Sequence, residues 1–151
     1  MSWLTPQLSP SQLVYIGLRD VDEKEQEILQ NLNIKTFYMQ DVDRLGIVKV
    51  VEEALVSVDP HGERNIHLSF DIDALDPGDA PATGTPVRGG LTLREGLTLC
   101  DLVYQTGRLK AVDMVEVNPS LASSQIEKAR TVNAANNILL AALGFRNCPP
   151  F

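Results

Sequence analysis

The chain has 151 residues, 44% of them hydrophobic and 22% charged, which fits one soluble globular domain able to bury a core. Its net charge of −7 argues against a nucleic-acid partner, which would require clustered Lys and Arg. No apolar run approaches the roughly 18–20 residues of a membrane span, and no signal peptide is expected ahead of the first elements. Two cysteines, Cys100 and Cys148, make neither a disulfide framework nor a zinc signature. A reducing compartment follows, cytoplasmic or mitochondrial.

Four strands separated by helices are predicted. The first, Leu13 to Leu18, runs into Arg19, Asp20, Val21 and Asp22. A polar helix is expected from Glu23 to Asn31, then a second strand from Lys35 to Met39. Leu45, Val48, Val51, Ala54, Leu55 and Val58 recur at helical spacing, predicting one helix over Asp43 to Val58, which Pro60 and Gly62 end. Ile66 to Phe70 is the third strand and leads into Asp71 and Asp73. Thr92 with Glu95 three residues on is a capping box, opening a helix that runs to about Gln105 and ends near Gly107. Leu109 to Val117 is the fourth strand, and a last helix over Ser124 to Leu143 ends at Gly144. The alternation implies βαβ crossovers, a mainly parallel sheet and helices on its faces, with no internal domain boundary. Between Ala74 and Gly90 lies a loop of roughly 17 residues, long enough to suggest a binding or active-site segment.

Ligands of open α/β sheets bind beyond the carboxyl ends of the strands. Three of the four strands end in acidic residues, at Asp20 and Asp22, at Asp71, Asp73 and Asp76, and at Glu116. Asp71 and Asp73, two apart on a strand, are expected on one face. Two such carboxylates repel unless a cation lies between them, and oxygen donors suit hard ions such as magnesium or manganese. The competing reading has one aspartate capping the loop and the other facing water, which is how Asp76 before Pro77 reads. Glu116, among Val112, Met114, Val115 and Val117, reads either as half of an ion pair with an arginine or as a carboxylate that grips a planar cation such as guanidinium. His61 is expected solvated in a turn and His67 packed on its strand. No phosphate-binding loop, dinucleotide fingerprint or nucleophile elbow is present.

The run from Ser69 to Pro77, continued by Pro81 to Val87 and Gly89 to Thr92, resembles the ureohydrolase signature. Within that superfamily, Gly17 to Asp22, Pro81 to Val87 and Met114 to Ser120 are similar to arginases rather than agmatinases, and the likeness extends from about Trp3 to Gly144. The resemblance implies about half of an eight-stranded, three-layer α/β fold of the arginase/deacetylase type. It implies hydrolysis of L-arginine to L-ornithine and urea by water activated at two manganese ions. Asp71 and Asp73 match metal ligands, Asp71 bridging both ions. Glu116 matches the catalytic-site carboxylate that orients the guanidinium, and Thr85 lines its pocket. Asp22 and, with weaker support, Glu25 match contacts to the substrate α-amino group. Arg94 and Glu95 match positions that join subunits in trimeric relatives, so a homo-oligomer is expected.

The departures from the family pattern matter as much. The other metal ligands, a histidine and a D-x-H-x-D cluster, have no counterpart here, nor have the proton-shuttling histidine and the loop that grips the substrate carboxylate. The chain is therefore expected to carry the C-terminal part of an arginase-like catalytic domain and to be inactive alone. A non-catalytic isoform that associates with other subunits is the competing hypothesis. A receiver-like phospho-acceptor domain, which would want a lysine at a later strand end, fits poorly, because Lys110 lies at a strand start.

Overall fold

The computed structural model describes residues 8–145. They fall in two compact units, Met1–Gly62 and Glu63–Phe151. Cys148 lies outside the described residues.

The first unit holds β1 (Val14–Leu18), α1 (Glu23–Asn31), β2 (Lys35–Tyr38), α2 (Met39–Leu45) and α3 (Ile47–Val58). β1 and β2 pair in parallel, with Val14 opposite Lys35 and Ile16 opposite Phe37. Phe37, Val42, Val50, Val51 and Ala54 are buried and form the unit's core. The polar α1 buries no residue and spans the expected range. The single helix expected over Asp43 to Val58 is instead two. Gly46 sits between them at φ 78° and ψ 152°, a conformation open to glycine at little cost, and its N–H closes α2 by donating to the Val42 carbonyl at 2.8 Å. Helical spacing of apolar residues continues across such a break, so periodicity alone does not show it.

The second unit holds β3 (Ile66–Asp71), α4 (Leu93–Gln105), β4 (Leu109–Val115) and α5 (Gln125–Ala142). β3 and β4 are also parallel, in a register that sets Asp71 opposite Val115. The parallel α/β character read from the sequence is thus present, as two two-stranded sheets among the described residues rather than one sheet. Ile72, Leu75, Leu91 and Ile138 are each 1% exposed or less, and each such burial contributes roughly 1.5–3 kcal/mol. α4 and α5 approach closely because Gly96 has no side chain; a Cβ there would lie 2.9 Å from Ile138 Cδ1 and 3.0 Å from Leu75 Cδ2. The capping box is formed: the Thr92 hydroxyl accepts from the Glu95 N–H, and the Glu95 carboxylate accepts from the Thr92 N–H at 2.8 Å.

The long loop between β3 and α4 is closed at its neck. The Leu91 N–H donates to the Ala74 carbonyl at 2.9 Å and the Asp76 N–H to the Leu91 carbonyl at 2.8 Å. The Asp76 carboxylate accepts from the N–H of Gly78 and of Gly89, each at 2.8 Å, which carries out the turn chemistry expected of it. Asp79 accepts from the Leu93 N–H at 2.8 Å and so ties the loop to the start of α4, while Arg130 of α5 donates to the Gly78 carbonyl at 3.0 Å. Gly90 is required at the neck for steric reasons, since a Cβ would come within 2.7 Å of Asp76 N and of Leu75 C. Gly90→Ala therefore forces backbone apart and is expected to cost about 2–3 kcal/mol, against about 1 kcal/mol for Thr92→Ala, which removes only the cap. Urea denaturation of the two variants checks the order.

Candidate functional site

The register of β3 and β4 decides which carboxylates meet. Because Asp71 lies opposite Val115, Glu116 follows one residue beyond the end of the pairing, beside the point where β3 leaves its strand. Asp71 is the last residue of β3. Asp73 is not on the strand at all: Ile72–Ala74 form a 3-10 turn, with Ile72 fully buried and drawing the backbone inward. The expectation that the two aspartates share one strand face is corrected accordingly. They still meet, because the Asp73 N–H donates to Asp71 Oδ1 at 3.0 Å, so Asp71 caps the turn that carries Asp73. Asp71 thus caps the turn, as one of the two readings of the D-x-D pair has it, and lies beside a second carboxylate.

Partial burial pushes the Asp71 carboxyl above its ordinary value. The Asp73 N–H opposes this by stabilising the anion, while the negative charges of Asp73 and Glu116 and a side-chain hydrogen bond with Asp73 reinforce it. Thr85 joins the cluster by donating its hydroxyl to Asp73 Oδ2 at 2.8 Å. Glu116 is exposed and makes no ion pair among the described residues, which removes the structural arginine pair considered for it. β4 ends at Val115, two residues short of the expected Val117, because Glu116 turns the chain at φ 61°. A left-handed non-glycine residue costs of order 1–3 kcal/mol and persists only where the surroundings impose it. Gly84 lies beside Glu116, since a Cβ at Gly84 would make an ordinary contact of 3.6 Å with Glu116 Oε2.

The second unit therefore brings together Asp71, Asp73, Thr85 and Glu116. Asp22 and Glu25 belong to the first unit. Asp22 is the N-cap residue of α1, yet its carboxylate makes no capping hydrogen bond, and Glu25 lies exposed in the first turn. Among the described residues no three His, Cys, Asp or Glu side chains are grouped as a metal would need. Hard carboxylate oxygens on Asp71 and Asp73 suit a hard divalent ion, but as a donor set they fall short of the number such ions take. His67, expected to be packed, is exposed, and its Nε2 lies 2.8 Å from Asp113 Oδ2 on the open face of β3 and β4. Alternation along β3 places it opposite the core residues. His61 is exposed as expected. Cys100 is fully buried and its thiol is pushed up to about 12 by burial, an inert structural role. Glu95 is engaged in the α4 capping box, and Arg94 is exposed.

Two residues of this neighbourhood carry no signal in the sequence. Thr131, on α5 and fully buried, accepts from the Ala82 N–H at 2.9 Å. Thr83, 3% exposed, has a hydroxyl with no hydrogen-bond partner among the described residues. Threonines in an apolar stretch look alike whether or not a distant loop reaches them.

Comparison with known proteins shows the family. The Arginase family model matches residues 1–144. Human Arginase-1 is 56% identical over 143 residues, a stretch that covers 95% of this chain and 44% of that protein. Human "Arginase-2, mitochondrial" is 52% identical over 143 residues, covering 95% of this chain and 40% of that protein. Among solved structures, the arginase from Bacillus caldovelox superposes with a TM-score of 0.87 at 34% identity, over 96% of this chain and 47% of that one. A cold-adapted arginase from the yeast Glaciozyma antarctica does so with a TM-score of 0.78 at 46% identity, over 95% and 46%. The chain spans less than half the length of these relatives, and throughout that span it belongs to the arginase family.

Proposed function

We propose that this chain is the C-terminal part of an arginase-type, metal-dependent amidinohydrolase, which converts L-arginine and water to L-ornithine and urea at a binuclear manganese site of which it carries one wall. The observation that supports this best is the cluster of Asp71, Asp73, Thr85 and Glu116 at the ends of two adjacent parallel strands. In this reading Asp71 and Asp73 hold metal; the Asp71 carboxyl is raised first by burial and further by the neighbouring charges of Asp73 and Glu116. Manganese, when bound, would supply a water of lowered pKa and compensate negative charge. Thr85 fixes the orientation of the Asp73 carboxylate through its 2.8 Å hydrogen bond and borders the guanidinium pocket. Glu116, exposed and unpaired by any described cation, accepts the guanidinium N–H groups in the bidentate geometry that suits a carboxylate. Asp22, whose carboxylate caps nothing, and Glu25 take the substrate α-amino group.

The two units are read as parts of one catalytic domain because the family match runs through both. A cytoplasmic or mitochondrial location and a homo-oligomer, trimeric as implied for relatives, complete the proposal. No helix among the described residues is long and apolar enough to cross a membrane. Among the described residues no third acidic or histidine side chain is grouped with Asp71 and Asp73 as a metal would need, which favours a second reading, a non-catalytic chain that associates with other subunits. Co-purification with a full-length arginase separates the two, and a chain that stays monomeric in sedimentation beside it speaks against association.

With manganese and arginine, the 151-residue chain alone is expected to release no urea above a protein-free blank, and robust turnover would overturn the proposed division of labour. Joined in frame behind the first half of human Arginase-1, it is expected to hydrolyse arginine. A folded but silent chimera would remove the arginase reading. In the active chimera, Glu116→Gln is expected to lower kcat/KM by about a hundredfold or more, because one partner of a charged hydrogen-bonded pair is removed.

The metal reading predicts a stability effect as well. A carboxyl whose pKa is raised on folding binds its proton more tightly in the folded state, so folding weakens as pH climbs from the ordinary carboxylate value through the raised one. Asp71→Asn keeps an acceptor for the Asp73 N–H and removes the charge. Without metal it should raise the urea midpoint at pH 7 and flatten the pH dependence above about pH 4. Millimolar manganese should raise the melting temperature of the wild-type chain and leave that of Asp71→Asn unchanged. A variant less stable than wild type at pH 7 would show that the Asp71 charge is already compensated.

A further inference from the structure

The left-handed turn at Glu116 and the position of Thr85 both lead to one buried peptide group. Ala82 is fully buried, and both its backbone polar atoms are held from outside the loop. Its N–H donates to the Thr131 hydroxyl on α5 at 2.9 Å, and its carbonyl accepts from the Asn118 N–H at 3.1 Å. Asn118 lies two residues beyond Glu116, and Thr85 lies three residues beyond Ala82. The Thr131 hydroxyl itself donates to the Glu127 carbonyl one helical turn back at 3.1 Å, which orients its lone pairs toward the loop. The helix thus fixes the Thr131 hydroxyl as acceptor for the Ala82 N–H.

We infer that Thr131 is a positioning residue for the candidate site: through Ala82 and Asn118, its hydroxyl holds Glu116 in the left-handed conformation and fixes the loop that delivers Thr85 to Asp73. The inference deepens the proposed function, because that reading gives Glu116 and Thr85 their roles, but the relay itself involves neither metal nor arginine. Glu116 stands at φ 61°, where a non-glycine residue relaxes unless its neighbours prevent it, and the Asn118 N–H to Ala82 carbonyl bond anchors the chain two residues on. Thr131→Val keeps the shape of the side chain and removes the acceptor, which leaves the Ala82 N–H buried and unpaired.

The test is nuclear magnetic resonance on the 151-residue chain, without metal or substrate. In the wild type, a scalar coupling across the Asn118 N–H to Ala82 carbonyl bond should be detectable. In Thr131→Val, amide exchange at Ala82 should accelerate by about tenfold or more. The Glu116 HN–Hα coupling should move toward the extended value, and the Thr85 amide resonance should shift. Thr131→Ser, which restores the acceptor, should return all three to wild-type behaviour. Absence of the Asn118–Ala82 coupling in the wild type overturns the inference whether or not Thr131→Val folds. So does faster exchange at Ala82 with the Glu116 and Thr85 signals unmoved, since Thr131 would then be an ordinary core contact. Because these readouts need no turnover, their failure is distinct from failure of the arginase reading, which the chimera decides.

Discussion

The hydrogen bond by which the Asp73 N–H binds Asp71 at the end of β3 is the constraint on which the candidate site of the second unit depends. Partial burial raises the Asp71 carboxyl above its ordinary value, and the neighbouring charges of Asp73 and, least of all, Glu116 add to that. Asp71 is fixed by the β3–β4 ladder, Asp73 by the 3-10 turn whose N–H binds Asp71, and Glu116 by the register that sets it just past Val115. Each of the three residues is placed by a different structural device.

The loop between β3 and α4 is anchored although it has little regular structure. Its backbone groups are bound by Asp76 within the loop, by Arg130 and Thr131 from α5 and by the chain just after β4, while Asp79 ties it to the first N–H of α4. Its apolar members, Leu75, Ala80, Ala82 and Leu91, are buried with the core. A loop anchored on both counts has few low-energy alternatives, and loops positioned by a rigid scaffold are where binding residues concentrate. The strain at Glu116 belongs to the same picture, since an unfavourable φ is maintained only where its surroundings over-determine it.

Much of this was legible in the sequence, for physical reasons that differ by residue. The capping box at Thr92 and Glu95 is local chemistry complete within four residues, and it formed as read. The polar α1 and the strand–helix alternation follow from composition and periodicity and were equally clear. Of the three acidic strand ends, those of β3 and β4 lie side by side because the two strands pair in parallel, whereas the end of β1, with Asp20 and Asp22, belongs to the other unit. Gly46 was missed as a break because the apolar spacing continues through it. Asp73 was assigned to the strand because the burial of Ile72, which bends the chain, is a tertiary fact. His67 was expected inside because alternation does not say which face of a strand is covered. The role of Thr131 was invisible, since it rests on a hydrogen bond across 49 positions of sequence.

The same geometry explains why the site on this chain is one-sided. Asp71, Asp73 and Glu116 are all acceptors when ionised, and the Thr85 hydroxyl is committed to Asp73 as a donor. Such a set attracts cations and planar N–H donors but offers no imidazole to move a proton at neutral pH, a task for which histidine is suited. The two histidines of the chain do not serve. His61 is exposed in a turn, and His67 points to the opposite face of β3 from Phe70 and is bound to Asp113. Hard divalent ions usually require six or so oxygen ligands, beyond what two aspartates provide. The acceptors of this cluster are thus held by backbone anchors from β3, β4 and the loop between β3 and α4, in a chain that spans less than half the length of the matched relatives.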